Sequence, residues 1–103
     1  MTEPIITQEQ EKTVIQPAGD LVAANVPELR SVLRNTVSAG ARDVVLDLRN
    51  TAMVDSSGLG LVIGIYNSLE KVAGRLAVIH ASRDVLQLFQ TMRMHQRFAI
   101  SGD

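Results

Sequence analysis

The residues best placed to do chemistry stand together in Met53–Gly64, MVDSSGLGLVIG, where Asp55, Ser56 and Ser57 lie between an apolar run and a helical one. A hydroxyl at such a junction suits three tasks: attack on an acyl group, cradling of a bound phosphate, and acceptance of a phosphoryl group. The first needs Gly-x-Ser-x-Gly, which puts the serine on a sharp strand-to-helix turn. Residue 54 is Val, and Ser57 has Asp55 two before it and Leu59 two after it, so neither serine fits. The two histidines that could act as base, His80 at a strand end and His95 in a Met/Arg-rich loop, read as structural or solvated residues. The second task needs a phosphate loop's spacing and a following lysine, and SSGLG lacks both. Nothing clusters as a metal site either. There is no Cys, and Asp43 and Asp47 read as polar residues flanking a buried strand. No catalytic residue, metal or cofactor is assigned, and the chain reads as a non-enzyme.

The third task fits. The unpaired N–H groups and positive dipole end of a helix N-terminus stabilise a phosphate. Either Asp55 or one of the serines is needed as the N-cap, and if one caps, another hydroxyl is presented to solvent. A phosphate there leaves the helix intact and adds close to two negative charges. On a helical wheel, Val62, Ile65, Tyr66, Leu69, Val72 and Ala73 form the inward stripe, and Gly60, Ile63, Gly64, Asn67 and Lys71 the opposite side. Each glycine costs about 1 kcal/mol against alanine in a helix interior. Two on one face imply close approach of another backbone, from this fold or from a partner. Ile63 beside them points to an interaction surface.

The elements that must position these residues follow from pattern. Pro4–Gln8 reads as a short edge strand and Glu11–Gly19 as a second, joined by a turn around Gln10–Lys12, with Pro17 at an edge or strand end. Asn25 is a good N-cap, with Pro27 in the first turn and Glu28 at the capping-box position. Val26, Leu29, Val32, Leu33, Thr36 and Val37 form the helical stripe behind it, and Gly40 stops the helix. Arg42–Leu48 is an apolar strand covered on both faces. The helix Ser57–Ala73, closed by Gly74, leads to a buried strand Arg75–His80. Ser82 caps a third helix with Val85, Leu86, Leu88, Phe89 and Met92 inward, and Arg97–Ile100 is a last strand. The order β-β-α-β-α-β-α-β makes an α/β domain, with helices packed on a mixed, largely parallel sheet of four to five strands.

At 103 residues the chain is one domain, 1–103. The net charge of −1 with no basic run, and only three aromatics, argue against nucleic acid. The polar N-terminus has no apolar signal core, and Leu59–Tyr66 is too short to span a bilayer, so a cytoplasmic protein is expected.

DSSGLG entering a helix after a strand resembles the STAS domain, the sulphate-transporter and anti-sigma-factor-antagonist fold. Its single-domain branch, the bacterial anti-sigma factor antagonists, is the nearest match. Gly19–Leu21 stands where that family has its Gly-acidic-Leu turn, VVLDL matches the strand before the switch loop, and GRLAVIH and VLQLFQTMRM follow in order. The resemblance implies partner switching. The unmodified protein binds an anti-sigma factor that is also a serine kinase of the GHKL ATPase type. Phosphorylation of Ser56, with Ser57 second, breaks the complex, and a metal-dependent serine phosphatase restores it. Asp55, Ser57, Gly58, Leu59, Gly60, Ile63, Gly64 and Asp20 would form the docking surface. The family's usual second acidic residue is Val22 here, and its usual final helix has no counterpart before Asp103. Without that helix, part of the sheet or of the third helix would be exposed and favour self-association, and a monomer or weak dimer is expected. A constitutive accessory or scaffold subunit, transporter-associated or sensory, is the alternative on the same fold.

Overall fold

The computed structural model describes residues 3–102. Five strands form one sheet in the order β1-β2-β3-β4-β5: β1 (Ile5–Glu9), β2 (Lys12–Gln16), β3 (Asp43–Asp47), β4 (Arg75–Ala81) and β5 (Ala99–Gly102). Only the β1–β2 hairpin is antiparallel; β2 through β5 are parallel. Parallel neighbours need crossovers, and these are helices α1 (Val26–Ser38), α2 (Ser56–Glu70) and α3 (Arg83–Thr91). The expected order and fold class therefore hold.

Register assigns the sheet its two faces. Ile15, Leu46, Val78 and Ile100 are in line across the sheet, and the first three are buried in one core with Leu29 and Leu33 of α1, Leu61, Val62 and Leu69 of α2, and Val85 and Phe89 of α3. The opposite row is Val14, Val45, Ala77 and Ala99. Here Val45 is buried outside that core and Ala99 is exposed. The expected strand covered on both faces is found in β3, where Val44–Asp47 are all buried, although Val45 lies outside the helix-packed core. On the face away from that core, Val45 is 5% exposed, and Asp47 is paired with Arg49, whose Nε and guanidinium NH₂ reach Asp47 Oδ2 at 3.0 and 2.8 Å.

Helix ends follow local chemistry, with corrections. After α1, Gly40 takes φ +109°. The Gly40 N–H donates to Val37 O and Ala41 N–H to Thr36 O, which completes a Schellman motif. Asn25 flanks α1 but does not cap it with its side chain. Its backbone is already helical, in a turn from Val22, and its Nδ2 donates to Asp20 O at 2.8 Å. After α2, Ala73 and not Gly74 takes the left-handed conformation (φ +60°). Gly74 is needed for space, since a Cβ there would press on the Arg42 and Leu69 backbones. Because α2 stops at Glu70, Val72 and Ala73 are exposed, not inward. Ser82 Oγ caps α3 as expected, accepting from Val85 N–H. Met92 lies past the end of α3 and is 53% exposed; Met94, in a single 3₁₀ turn, takes the inward place. That turn also delays β5, so Arg97 and Phe98 precede the strand.

Candidate functional site

The segment before α2 is held by two reciprocal carboxylate clamps. Leu21, in the connection from β2 to α1, bridges the chain ahead of α2: its N–H donates to Met53 O at 3.0 Å, and Asp55 N–H donates to Leu21 O at 3.1 Å. From one side, Asp20 Oδ1 accepts from the Ala52 and Met53 N–H groups at 2.8 and 3.1 Å. From the other, Asp55 Oδ2 accepts from Ala23 N–H at 3.1 Å, and Asp55 Oδ1 accepts from Gly58 N–H at 3.0 Å as the N-cap of α2. Thr51, buried to 3%, donates its hydroxyl proton to Gly19 O at 2.8 Å. Each clamp pairs backbone donors that have no backbone partner of their own and would otherwise be left to water.

The cap is therefore Asp55, and no serine is used for it. Ser56, the first residue of α2, is exposed and makes no side-chain hydrogen bond among the described residues. Ser57, next along, is half-buried. The Ser56 and Ser57 amides are first-turn donors with no partner within the helix. This geometry presents a hydroxyl at a positive helix end on a backbone that cannot readily shift.

The remaining site residues divide. Gly58 is buried, and a Cβ there would collide with the Leu21 carbonyl, so it carries the loop-to-helix contact from beneath and offers no surface. Leu59 is half-buried against the core. Asp20 and Asp55 are half-buried and engaged with backbone. Gly60, Ile63 and Gly64 are exposed, and nothing lies within 4 Å of where a Cβ would stand on either glycine. Packing against the sheet or another helix is thus not what these two glycines serve. They floor an open groove of about 270 Å³ between α1 and α2, whose far wall includes Arg30 and Arg34. On the other flank of Ile63, a second groove runs beside Tyr66, Met92, Arg97 and Phe98.

Tyr66 and Phe98 pack with ring centroids 5.5 Å apart. The Tyr66 hydroxyl donates to Glu70 Oε2 at 2.7 Å. This hydrogen bond, with lost hydration and the Glu70 charge, raises the tyrosine pKa above its ordinary value, against the opposing pull of Arg97.

Sequence reasoning missed Thr51, the Leu21 backbone and the Asn25 amide as parts of the clamp, and Arg30 and Arg34 as a groove wall. The four-residue spacing of the arginines was readable; which helix they would face was not. Among the described residues no group of three or more His, Asp or Glu could hold a metal ion, and no helix is long and apolar enough to cross a membrane.

A family model, that of the STAS domain, matches residues 3–102. The chain belongs to the STAS family. An anti-sigma-B factor antagonist of Staphylococcus aureus is 33% identical to this STAS domain over 76 residues, covering 74% of this chain and 70% of that protein. The anti-sigma factor antagonist SpoIIAA, solved unphosphorylated, is 26% identical with a TM-score of 0.75, covering 97% of this chain and 87% of its own. The Bacillus cell fate determinant SpoIIAA in phosphorylated form is 25% identical at the same TM-score, covering 97% and 92%. An anti-sigma factor antagonist of Mycobacterium paratuberculosis has a TM-score of 0.86, covering 97% and 85%, and at 17% identity it shares the fold alone.

Proposed function

We propose that this STAS domain is an anti-sigma factor antagonist that works by partner switching. With Ser56 unmodified it binds an anti-sigma factor that is also a GHKL-type serine kinase. That kinase phosphorylates Ser56, the complex separates, and a serine phosphatase restores the binding form. The domain itself performs no catalysis, works in the cytoplasm as a monomer or weak dimer, and has Ser57 as the second candidate acceptor. The observation that carries this reading is the free, exposed Ser56 hydroxyl at the first turn of α2, held by the Asp20 and Asp55 clamps beside the exposed Gly60, Ile63 and Gly64. Support also comes from relatives named as antagonists, one of them solved with and without phosphate.

The physics of the switch is desolvation. Binding along the exposed side of α2 takes the Ser56 region out of water, and a phosphate there brings close to two charges. Removing such a group from water costs several kcal/mol, and each 1.4 kcal/mol is about a tenfold loss of affinity. Ser57, Leu59, Gly60, Ile63 and Gly64 would touch the partner or shape its seat, with Gly58, Asp20 and Asp55 holding that seat in place.

The test is affinity capture from the native host with wild type, Ser56→Ala and Ser56→Glu as baits, prey being identified by mass spectrometry. The expected result is a GHKL-type kinase held by wild type and Ser56→Ala and at least about tenfold depleted on Ser56→Glu. Equal capture of that kinase by all three overturns the switch. Transporter subunits held equally by all three move the domain to an accessory role.

A further inference from the structure

Two arginines line the α1–α2 groove. Arg30 and Arg34 lie one turn apart on α1, are exposed, and make no hydrogen bond or ion pair among the described residues. Arg42 donates to the Val37 and Ala41 carbonyls and Arg49 is paired with Asp47, while Arg75, Arg83 and Arg93 share the lack of a partner among the described residues, so it is their place in the groove that sets Arg30 and Arg34 apart. β2, β3 and β4 are parallel, so α1 and α2, each returning between two of them, run in the same direction. Arg30 and Gly60 accordingly stand at the N-terminal end of the groove, and Ser38 and Ser68 at the other.

Three features connect Arg30 to Ser56. Ser56, Gly60 and Gly64 recur every four residues and share one face of α2, which puts Ser56 just over one turn, about 6 Å, beyond Gly60 along the helix axis. Helical side chains lean toward their own N-terminus, so the Arg30 stem leans toward the end where Ser56 stands. Gly60 carries no side chain, and nothing occupies the space a Cβ would enter, so the way along the groove is open. The acidic neighbours do not compete for the arginine. Both Asp55 oxygens already accept N–H groups, and Glu28 lies on another side of α1, in a hollow with Asp20, Pro4 and Pro17.

We infer that Arg30, with Arg34 behind it, is the internal counter-ion of a phosphate on Ser56. This rests on the phosphorylation reading above and extends it. A guanidinium fork meets two phosphate oxygens at once, which a lysine cannot do. Phosphorylation then changes shape as well as charge. The phosphate and Arg30 close the N-terminal mouth of the groove, and the open cationic groove that the unmodified form offers a partner is lost.

The experiment needs neither kinase nor partner. Phosphoserine is installed at position 56 by genetic encoding, and its second ionisation, ordinarily near pH 6, is followed by ³¹P NMR. The charged groups around it are Asp20, Asp55, Arg30 and Arg34. In the Arg30→Gln variant the phosphoserine pKa is expected to rise by about half a unit, the size of an exposed but bidentate ion pair. Arg30→Lys should recover part of that shift, and Arg34→Gln should move the value less. Both arginines are exposed, so the variants should fold, and an amide spectrum checks this. A phosphoserine pKa unmoved by Arg30→Gln, or moved by Arg34→Gln alone, overturns the assignment. The two readings fail separately. Host protein that never carries phosphate on Ser56 removes the phosphorylation reading and leaves the encoded-phosphoserine result standing.

Discussion

Asp20 offers a sharp test of whether the acidic residues around Ser56 act through charge or through hydrogen-bond geometry. Its Oδ1 accepts from two backbone amides, while Oδ2 makes no hydrogen bond among the described residues. Asp20→Ala removes both bonds. A hydrogen bond to a charged acceptor is worth about 1.5–3 kcal/mol, but Ala52 and Met53 are exposed, so water replaces much of it and the expected net cost is about 1–2 kcal/mol. Asp20→Asn keeps Oδ1 in place and puts its NH₂ where Oδ2 pointed to no donor, so it should cost under about 1 kcal/mol. Asp55 is the internal control, because both of its oxygens are occupied. Asp55→Asn must turn an NH₂ toward the N–H of either Ala23 or Gly58, with an expected cost of about 1.5–3 kcal/mol. Urea unfolding followed by circular dichroism reads these differences. With a slope of about 1–2 kcal/mol/M for a domain of this size, Asp20→Ala and Asp55→Asn should each lower the midpoint by roughly 1 M and Asp20→Asn by less than half of that. If Asp20→Asn destabilises as much as Asp20→Ala, or Asp55→Asn is harmless, the clamp argument is wrong.

The glycines of α2 should part company. Gly58→Ala drives a methyl into the Leu21 carbonyl, where backbone cannot yield, and should cost about 3 kcal/mol or more or prevent folding. Gly60→Ala meets nothing and should stabilise the domain by up to about 1 kcal/mol, while weakening capture of the partner by narrowing the groove; melting curves and the affinity capture check both. Tyr66 is the chain's single tyrosine, so its ionisation can be followed by phenolate absorbance without interference. The raised pKa means the fold favours the neutral phenol. Its contribution to stability is whole below the unfolded value of about 10 and is lost as pH rises through the folded value. Glu70→Gln should bring the midpoint down and Arg97→Gln push it up, and a wild-type midpoint at the free tyrosine value contradicts the hydrogen bond.

Much of this protein is local and so was legible in one dimension. Strand and helix order came from periodicity. The Gly40 stop and the Ser82 cap depend only on neighbours in the chain, and an exposed hydroxyl at the start of α2 followed from having three capping candidates for one cap. What the chain alone left open was settled by contacts between segments far apart in it. Asp55 is the cap because its second oxygen also reaches Ala23, some thirty residues away, and a serine hydroxyl has no such second acceptor oxygen to offer. Asn25 has the composition of a cap, yet its amide is drawn to the Asp20 carbonyl. Gly58 and Gly60 are indistinguishable as letters two apart; the Leu21 backbone makes one a buried necessity and leaves the other as open floor. Arg30 and Arg34 read as solvated charges until the parallel sheet sets α1 beside α2 in the same direction. Residue type and spacing decide which groups a segment can offer, and only the packing of segments decides which partner each group meets.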